Sequence, residues 1–260
     1  MEPYDFILDA VQKAGDILLR SRDRGFEVAQ KGDDPRDIVT SVDTEINEFL
    51  IGILKKEFPN DSIYSEEGGT VEGRSAKTWV IDPIDGSANF SRAIPHYAVC
   101  LGSLERDTPI MGAVYNPITK ELFSFKKGEG AYLNGAPIRV SAITDPSKAH
   151  VFLHAGRKPE MWGWGGEAYT RLLRQVNKTK NFSGSALDAC FVAAGRIEAN
   201  IYGTLTNIID LSPALGILLE AGGVLSDEKG DPISSTVSVK KLYMANNREI
   251  LDAIRTLLES

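Results

Sequence analysis

Only two cysteines, Cys100 and Cys190, occur in the 260 residues, and both lie inside apolar runs. A disulfide framework is therefore excluded as a source of stability, and a reducing, cytoplasmic compartment is expected. No stretch approaches about 18 consecutive apolar residues. The opening Met1-Glu2-Pro3-Tyr4-Asp5-Phe6 lacks a basic segment leading into an apolar one, so neither a membrane span nor an export signal is expected. Positive charge is short as well: 29 basic residues against 36 acidic ones give a net charge of -7. That balance argues against nucleic acid or a membrane surface as partner, since both demand basic patches. Histidine is scarce, and His96, His150 and His154 stand at no metal-ligand spacing, which favours structural roles. Repeats and low-complexity tracts are also missing. What remains is a chain with 42% hydrophobic residues, enough to bury a sizeable core. A soft division falls near Thr144-Asp145-Pro146-Ser147, giving an N-terminal lobe, 1–145, and a C-terminal lobe, 146–260.

The hydrophobic pattern alternates between periods. Helical stripes run from Tyr4 to Arg20 and from Ser41 to Phe58, separated by the charged turn that begins at Lys31. Short strands are expected at Ile63–Ser65 and Trp79–Asp82, then an antiparallel set at Tyr97–Leu104, Ile110–Tyr115 and Glu121–Phe125, closing in a hairpin at Asn134-Gly135. Beyond it, Ala149–His154 and Ile197–Tyr202 read as strands. Helices are expected around Ala168–Gln175, from a Ser185 cap to Ala194, over Leu211–Ala221 and over Arg248–Leu258.

One stretch organises the chemistry. Trp79-Val80-Ile81 empties into Asp82-Pro83-Ile84-Asp85-Gly86-Ser87. Pro83 has no N–H to donate, so the strand should stop at Asp82 and bend. Gly86 permits close backbone approach to an anion, and Ser87 is placed to cap a helix near Ala88. Carboxylates beside anion-seeking amides become intelligible once divalent cations sit between the acids and a phosphate.

Asp82-Pro83-Ile84-Asp85-Gly86-Ser87-Ala88-Asn89-Phe90 resembles the first fingerprint of the inositol monophosphatase family, which includes fructose-1,6-bisphosphatases. Asp37-Ile38-Val39-Thr40-Ser41-Val42-Asp43, Glu66-Glu67, and Asp210 ahead of Glu220-Ala221-Gly222-Gly223 match further family motifs in order. The resemblance implies a layered α-β-α-β-α sandwich of the α+β class, often a lithium-sensitive enzyme and a homodimer. It also implies two or three Mg²⁺ ions. One would be held by Glu66, Asp82 and the carbonyl of Ile84, and a second by Asp82, Asp85 and Asp210. A weaker third would sit on Glu66, with Lys31 nearby. Hard carboxylate oxygens without sulfur or imidazole suit that metal.

The same resemblance assigns the attacking water's proton to the Ser87 hydroxyl, paired with Asp43 and helped by Glu66, and places Gly86 and Ser87 on the phosphate. The family more often has threonine at Ser87. Asp43 is also compatible with a first-turn acid under a Thr40 cap. Gly184, Ser185 and Ala186 match the family's sugar-contacting segment, and Arg157 and Lys158 are candidates for a second phosphate. The expected substrate is thus a small polyol or sugar phosphate, inositol 1-phosphate, fructose 1,6-bisphosphate or both. The family's hydroxyl-binding glutamate has no counterpart at Tyr202-Gly203-Thr204. Two alternatives stand beside this reading: a nucleotide 3'-phosphatase of the same superfamily and a non-catalytic regulatory binding protein.

Overall fold

The computed structural model describes residues 1–31, 37–156, 159–203, 208–233 and 239–260. Two sheets dominate. The first has eight strands in the spatial order Ala136–Ile138, Gly130–Leu133, Glu121–Lys126, Thr108–Asn116, Ala98–Glu105, Lys77–Asp85, Ser62–Ser65 and Gly69–Val71. The second has five, ordered Lys178–Lys180, His150–His154, Ala199–Tyr202, Leu242–Ala245 and Val224–Ser226. A small ribbon pairs Val28–Gln30 with Ile38–Thr40.

Period-two alternation explains the stacking. In the strand Ala98–Glu105, Val99 and Leu101 face a core shared with the helices Pro3–Arg24 and Ser41–Glu57, contributing Leu18, Ile46 and Leu50. Ala98 and Cys100 face the opposite core, filled by the helices Ser185–Ala193 and Ser212–Glu220 and closed by Phe152 and Met244 from the second sheet. A strand buried on both faces reads as a near-continuous apolar run, and Ala98 to Leu101 form one, with Ser103 a buried polar exception. The helices Trp162–Gln175 and Arg248–Glu259 cover the outer face of the second sheet. The result is the layered α-β-α-β-α sandwich. Close approach in the middle layer depends on Gly216, where a Cβ would lie 2.1 Å from the Phe125 ring. Emptying one leucine here, as in Leu50→Ala, costs about 2–5 kcal/mol.

Four expectations need correction. The strand Lys77–Asp85 does not stop at Asp82. It runs on to Asp85 because its register with Ala98–Glu105 shifts between those acids, and the irregularity accommodates Pro83. Ser87 is the first residue of the helix Ser87–Ser91 rather than its cap, since left-handed Gly86 at φ 89° precedes it. Ser185 likewise starts its helix without capping it, and Gly184 takes the cap position. Finally, the helix expected from Ala168 already begins at Trp162. Gly165 lets that first turn lie against the end of the neighbouring strand, where a Cβ would be 2.3 Å from that of Ala155.

Candidate active site

The acids that fall far apart in sequence meet around one cavity of about 490 Å³, lined by Glu66, Asp82, Ile84, Asp85, Gly86, Ser87, Ser185 and Asp210, among others. Strand ends deliver most of them. Glu66 follows Ser62–Ser65, Asp82 and Asp85 end Lys77–Asp85, and Asp210 precedes Ser212–Glu220. Parallel pairing of the first two strands sets Ser65 beside Ile81, so Glu66 and Asp82 emerge side by side.

Each carboxylate has a different environment. Asp82 is buried, and among the described residues its Oδ1 has no hydrogen-bond partner. Burial pushes its carboxyl well above the usual range, and the charges of Glu66, Asp85 and Asp210 push further. Asp85 receives the amides of Ser185 and Ala186, both at 2.9 Å. This carboxylate therefore caps the helix Ser185–Ala193 across 100 residues of sequence. Burial still carries it up to about 7, against the pull of those amides. Asp210 is pushed up to about 6 by burial and by Glu66. At the rim, Lys31 Nζ donates to Glu66 at 3.1 Å and to Glu67 at 2.8 Å.

Behind Ser87, Asp43 plays both of the parts open to it. Its Oδ2 accepts from the Thr40 amide at 2.8 Å within a capping box, while its Oδ1 accepts from the Ser87 hydroxyl at 2.7 Å. The Ile84 carbonyl lies within 2.9 Å of the same hydroxyl. Burial raises the Asp43 carboxyl, and the Thr40 and Ser87 hydrogen bonds oppose the rise.

Not every expected residue reaches the cavity. Gly184 packs against the His96 ring, and Ala186 is fully buried, with only its amide engaged. Arg157 and Lys158 lie outside the described residues, as does most of the turn that follows Lys31. Arg196, a further surface base, is paired with Glu121 and stacked on Phe191. Sequence reasoning missed Asn181 and Ser183 on the cavity wall, and also Asp188, a fully buried acid that bonds His96 and His154. No spacing rule joins residues 92 and 34 positions apart.

Among the described residues, no group of three or more His, Cys, Asp or Glu side chains is gathered closely enough to enclose an ion. Glu66 and Asp85 spend oxygens on Lys31 and on helix amides instead. The donor set nevertheless fits a hard divalent cation. It is all oxygen, it includes a buried carboxylate oxygen without a donor among the described residues, and its mutual repulsion is relieved by a bound cation as it is by protonation.

Comparison with known proteins places this architecture. The model of the inositol monophosphatase family matches residues 2–260. Inositol monophosphatase 1 of Solanum lycopersicum is 33% identical over 237 residues, 88% of this chain and 85% of that one. The fructose-1,6-bisphosphatase/inositol-1-monophosphatase of Methanocaldococcus jannaschii is 31% identical over 91% of this chain and 90% of its own. Among solved structures, the extragenic suppressor protein suhB of Bartonella henselae superposes with a TM-score of 0.91 at 26% identity, covering 98% of each chain. The chain belongs to the inositol monophosphatase family. It is accordingly a phosphoric monoester hydrolase, in a family whose members are generally metal-dependent and act on small-molecule phosphate esters. Among the described residues, no helix is long and apolar enough to cross a membrane.

Proposed function

We propose that this chain hydrolyses small polyol or sugar phosphates, inositol 1-phosphate, fructose 1,6-bisphosphate or both, with Mg²⁺ as the activating ion. The observation that carries the reading is the convergence of Glu66, Asp82, Asp85 and Asp210 on one cavity, with an Asp82 oxygen left without a donor. Glu66, Asp82 and the Ile84 carbonyl would hold one ion, Asp82, Asp85 and Asp210 a second, and Glu66 a weaker third. Bound there, the ions would neutralise the acids, lower the pKa of the attacking water and offset charge on the phosphate.

The protein's own part is proton transfer and placement. Ser87 donates to Asp43, so its oxygen lone pairs are available to take a proton from water while its own proton passes to the carboxylate. Glu66, on the same cavity, would help orient that water. The left-handed turn at Gly86 presents the Gly86 and Ser87 amides as the phosphate cradle. Ser185, with Gly184 and Ala186 behind it, forms the wall on which the alcohol part would rest.

Phosphate release with Mg²⁺ from inositol 1-phosphate, fructose 1,6-bisphosphate and adenosine 3'-phosphate tests this directly. Turnover of the first two supports the reading, and preference for the nucleotide transfers it to the superfamily's nucleotide branch. Silence on all three favours a regulatory protein, the alternative that likeness to an extragenic suppressor keeps in view. The working unit is taken to be a homodimer of the 28.4 kDa chain in the cytoplasm. Sedimentation as a monomer at micromolar concentration would remove the dimer.

A further inference from the structure

His154 ends the strand His150–His154 and lines the same cavity as the acids, on the wall shared with Ala155, Gly156, Ser183 and Tyr202. Its ring is fixed twice. Nε2 lies 2.7 Å from Oδ2 of Asp188, and the ring stacks on Tyr202 with centroids 4.2 Å apart and planes 4° from parallel. Asp188 is itself fully buried, and its other oxygen meets His96 Nε2 at 2.7 Å. A carboxylate accepting from two imidazoles fixes Nε2 as the protonated nitrogen of each. For His154 in its neutral form, Nδ1 is then the ring's remaining hydrogen-bonding atom, and it is an acceptor. The wall behind it is stiff: a Cβ on Gly203 would fall 2.4 Å from the Trp164 ring and 3.1 Å from the His154 carbonyl.

We propose that His154 Nδ1 determines specificity by accepting a hydrogen bond from a free hydroxyl on the alcohol part of the substrate, with Asp188 and His96 as positioning residues. The inference rests on the phosphatase reading above and adds to it a residue that carries none of the family's motifs. The chemistry selects a phosphate ester whose alcohol keeps at least one further hydroxyl, and it gives a simple aryl phosphate nothing at this position. Asp188 lies one turn into the helix whose Ser185 and Ala186 amides hold Asp85, so one short helix sets both the acid wall and the imidazole wall.

The test compares glycerol 2-phosphate, which keeps two hydroxyls, with phenyl phosphate, which keeps none. His154→Phe preserves a ring on Tyr202 and removes the acceptor. It should raise KM and lower kcat/KM for glycerol 2-phosphate by about tenfold while leaving phenyl phosphate within about twofold of wild type. His96→Phe removes the other partner of Asp188 at a residue outside the cavity lining, and should lower kcat/KM for glycerol 2-phosphate by less than His154→Phe does while leaving phenyl phosphate within about twofold of wild type. An equal loss on both substrates in His154→Phe, or no loss on either, overturns the proposal. A second readout needs no variant: the ¹⁵N resonance of His154 Nδ1 in the wild-type protein should shift on adding glycerol 2-phosphate and stay in place on adding phenyl phosphate. Absence of that selective shift also overturns it. Turnover of neither substrate by the wild type would remove the phosphatase reading, leaving the resonance to judge His154 separately.

Discussion

The two walls of the cavity are built on opposite principles. On the His154 side, each buried charge has its partner: Asp188 takes two imidazoles, one ring stacks on Tyr202, and Trp164 fills the space behind Gly203. On the acid side, burial and crowding push Asp82, Asp85 and Asp210 upward together, and one Asp82 oxygen goes without a donor. The first wall stabilises the fold as it stands. The second works against folding until positive charge arrives, which is what a metal-dependent site requires. A wall whose charges are paired gives shape, and one whose charges crowd gives affinity for ions.

The contrast breaks most sharply at Asp82. Asp82→Asn should lower turnover by about a thousandfold or more, since it strips charge from the carboxylate that would help hold both proposed ions. In the metal-free protein the same change should raise Tm, by about 3 °C, because it removes a buried carboxyl whose ionisation its burial and acidic neighbours oppose. Near-normal turnover at saturating Mg²⁺, or a lowered metal-free Tm, would show that the acid side is not frustrated. Ser87→Ala should cost about a hundredfold in kcat with little change in KM. A raised KM with unchanged kcat would reduce Ser87 to a binding contact.

Acidity offers a subtler probe. Folded-state values of about 7 for Asp85 and about 6 for Asp210 lie above the ordinary carboxylate value of about 4. The native state therefore binds more protons than the unfolded chain between those limits. Stability of the metal-free protein should fall as pH rises from about 4 to about 7 and then level off, and saturating Mg²⁺ should flatten the slope. A metal-free stability that instead climbs through this window would contradict the crowding. The smallest effect is expected at the rim. Lys31→Met removes a cation that competes for Glu66, and should tighten Mg²⁺ binding by about two- to fivefold in calorimetry.

Much of the acid wall was legible in the sequence, because Asp82, Asp85 and Gly86 lie within five positions and the other acids recur in family order. The five layers followed from the same resemblance, and the apolar run Ala98–Leu101 is the trace along the chain of a strand buried on both faces. The misreadings came from rules of local propensity overruled by distant partners. Pro83 should end a strand, yet a register shift beside Ala98–Glu105 absorbs it. Ser185 looks like a cap, yet Asp85 from the other sheet supplies the oxygens. The glycines after Trp162 look like a loop, yet Gly165 is what lets a helix sit on Ala155. His96, Asp188 and His154 form a set only in three dimensions, so no window along the chain could join them.

The bonds from Asp85 to the first two amides of Ser185–Ala193 have one more consequence. They join the end of the strand Lys77–Asp85 to the helix Ser185–Ala193 through a side chain that is also a proposed ligand. An ion held there would share the Asp85 oxygens with those two amides. Were an ion held there, its occupancy and the firmness of that junction would be coupled.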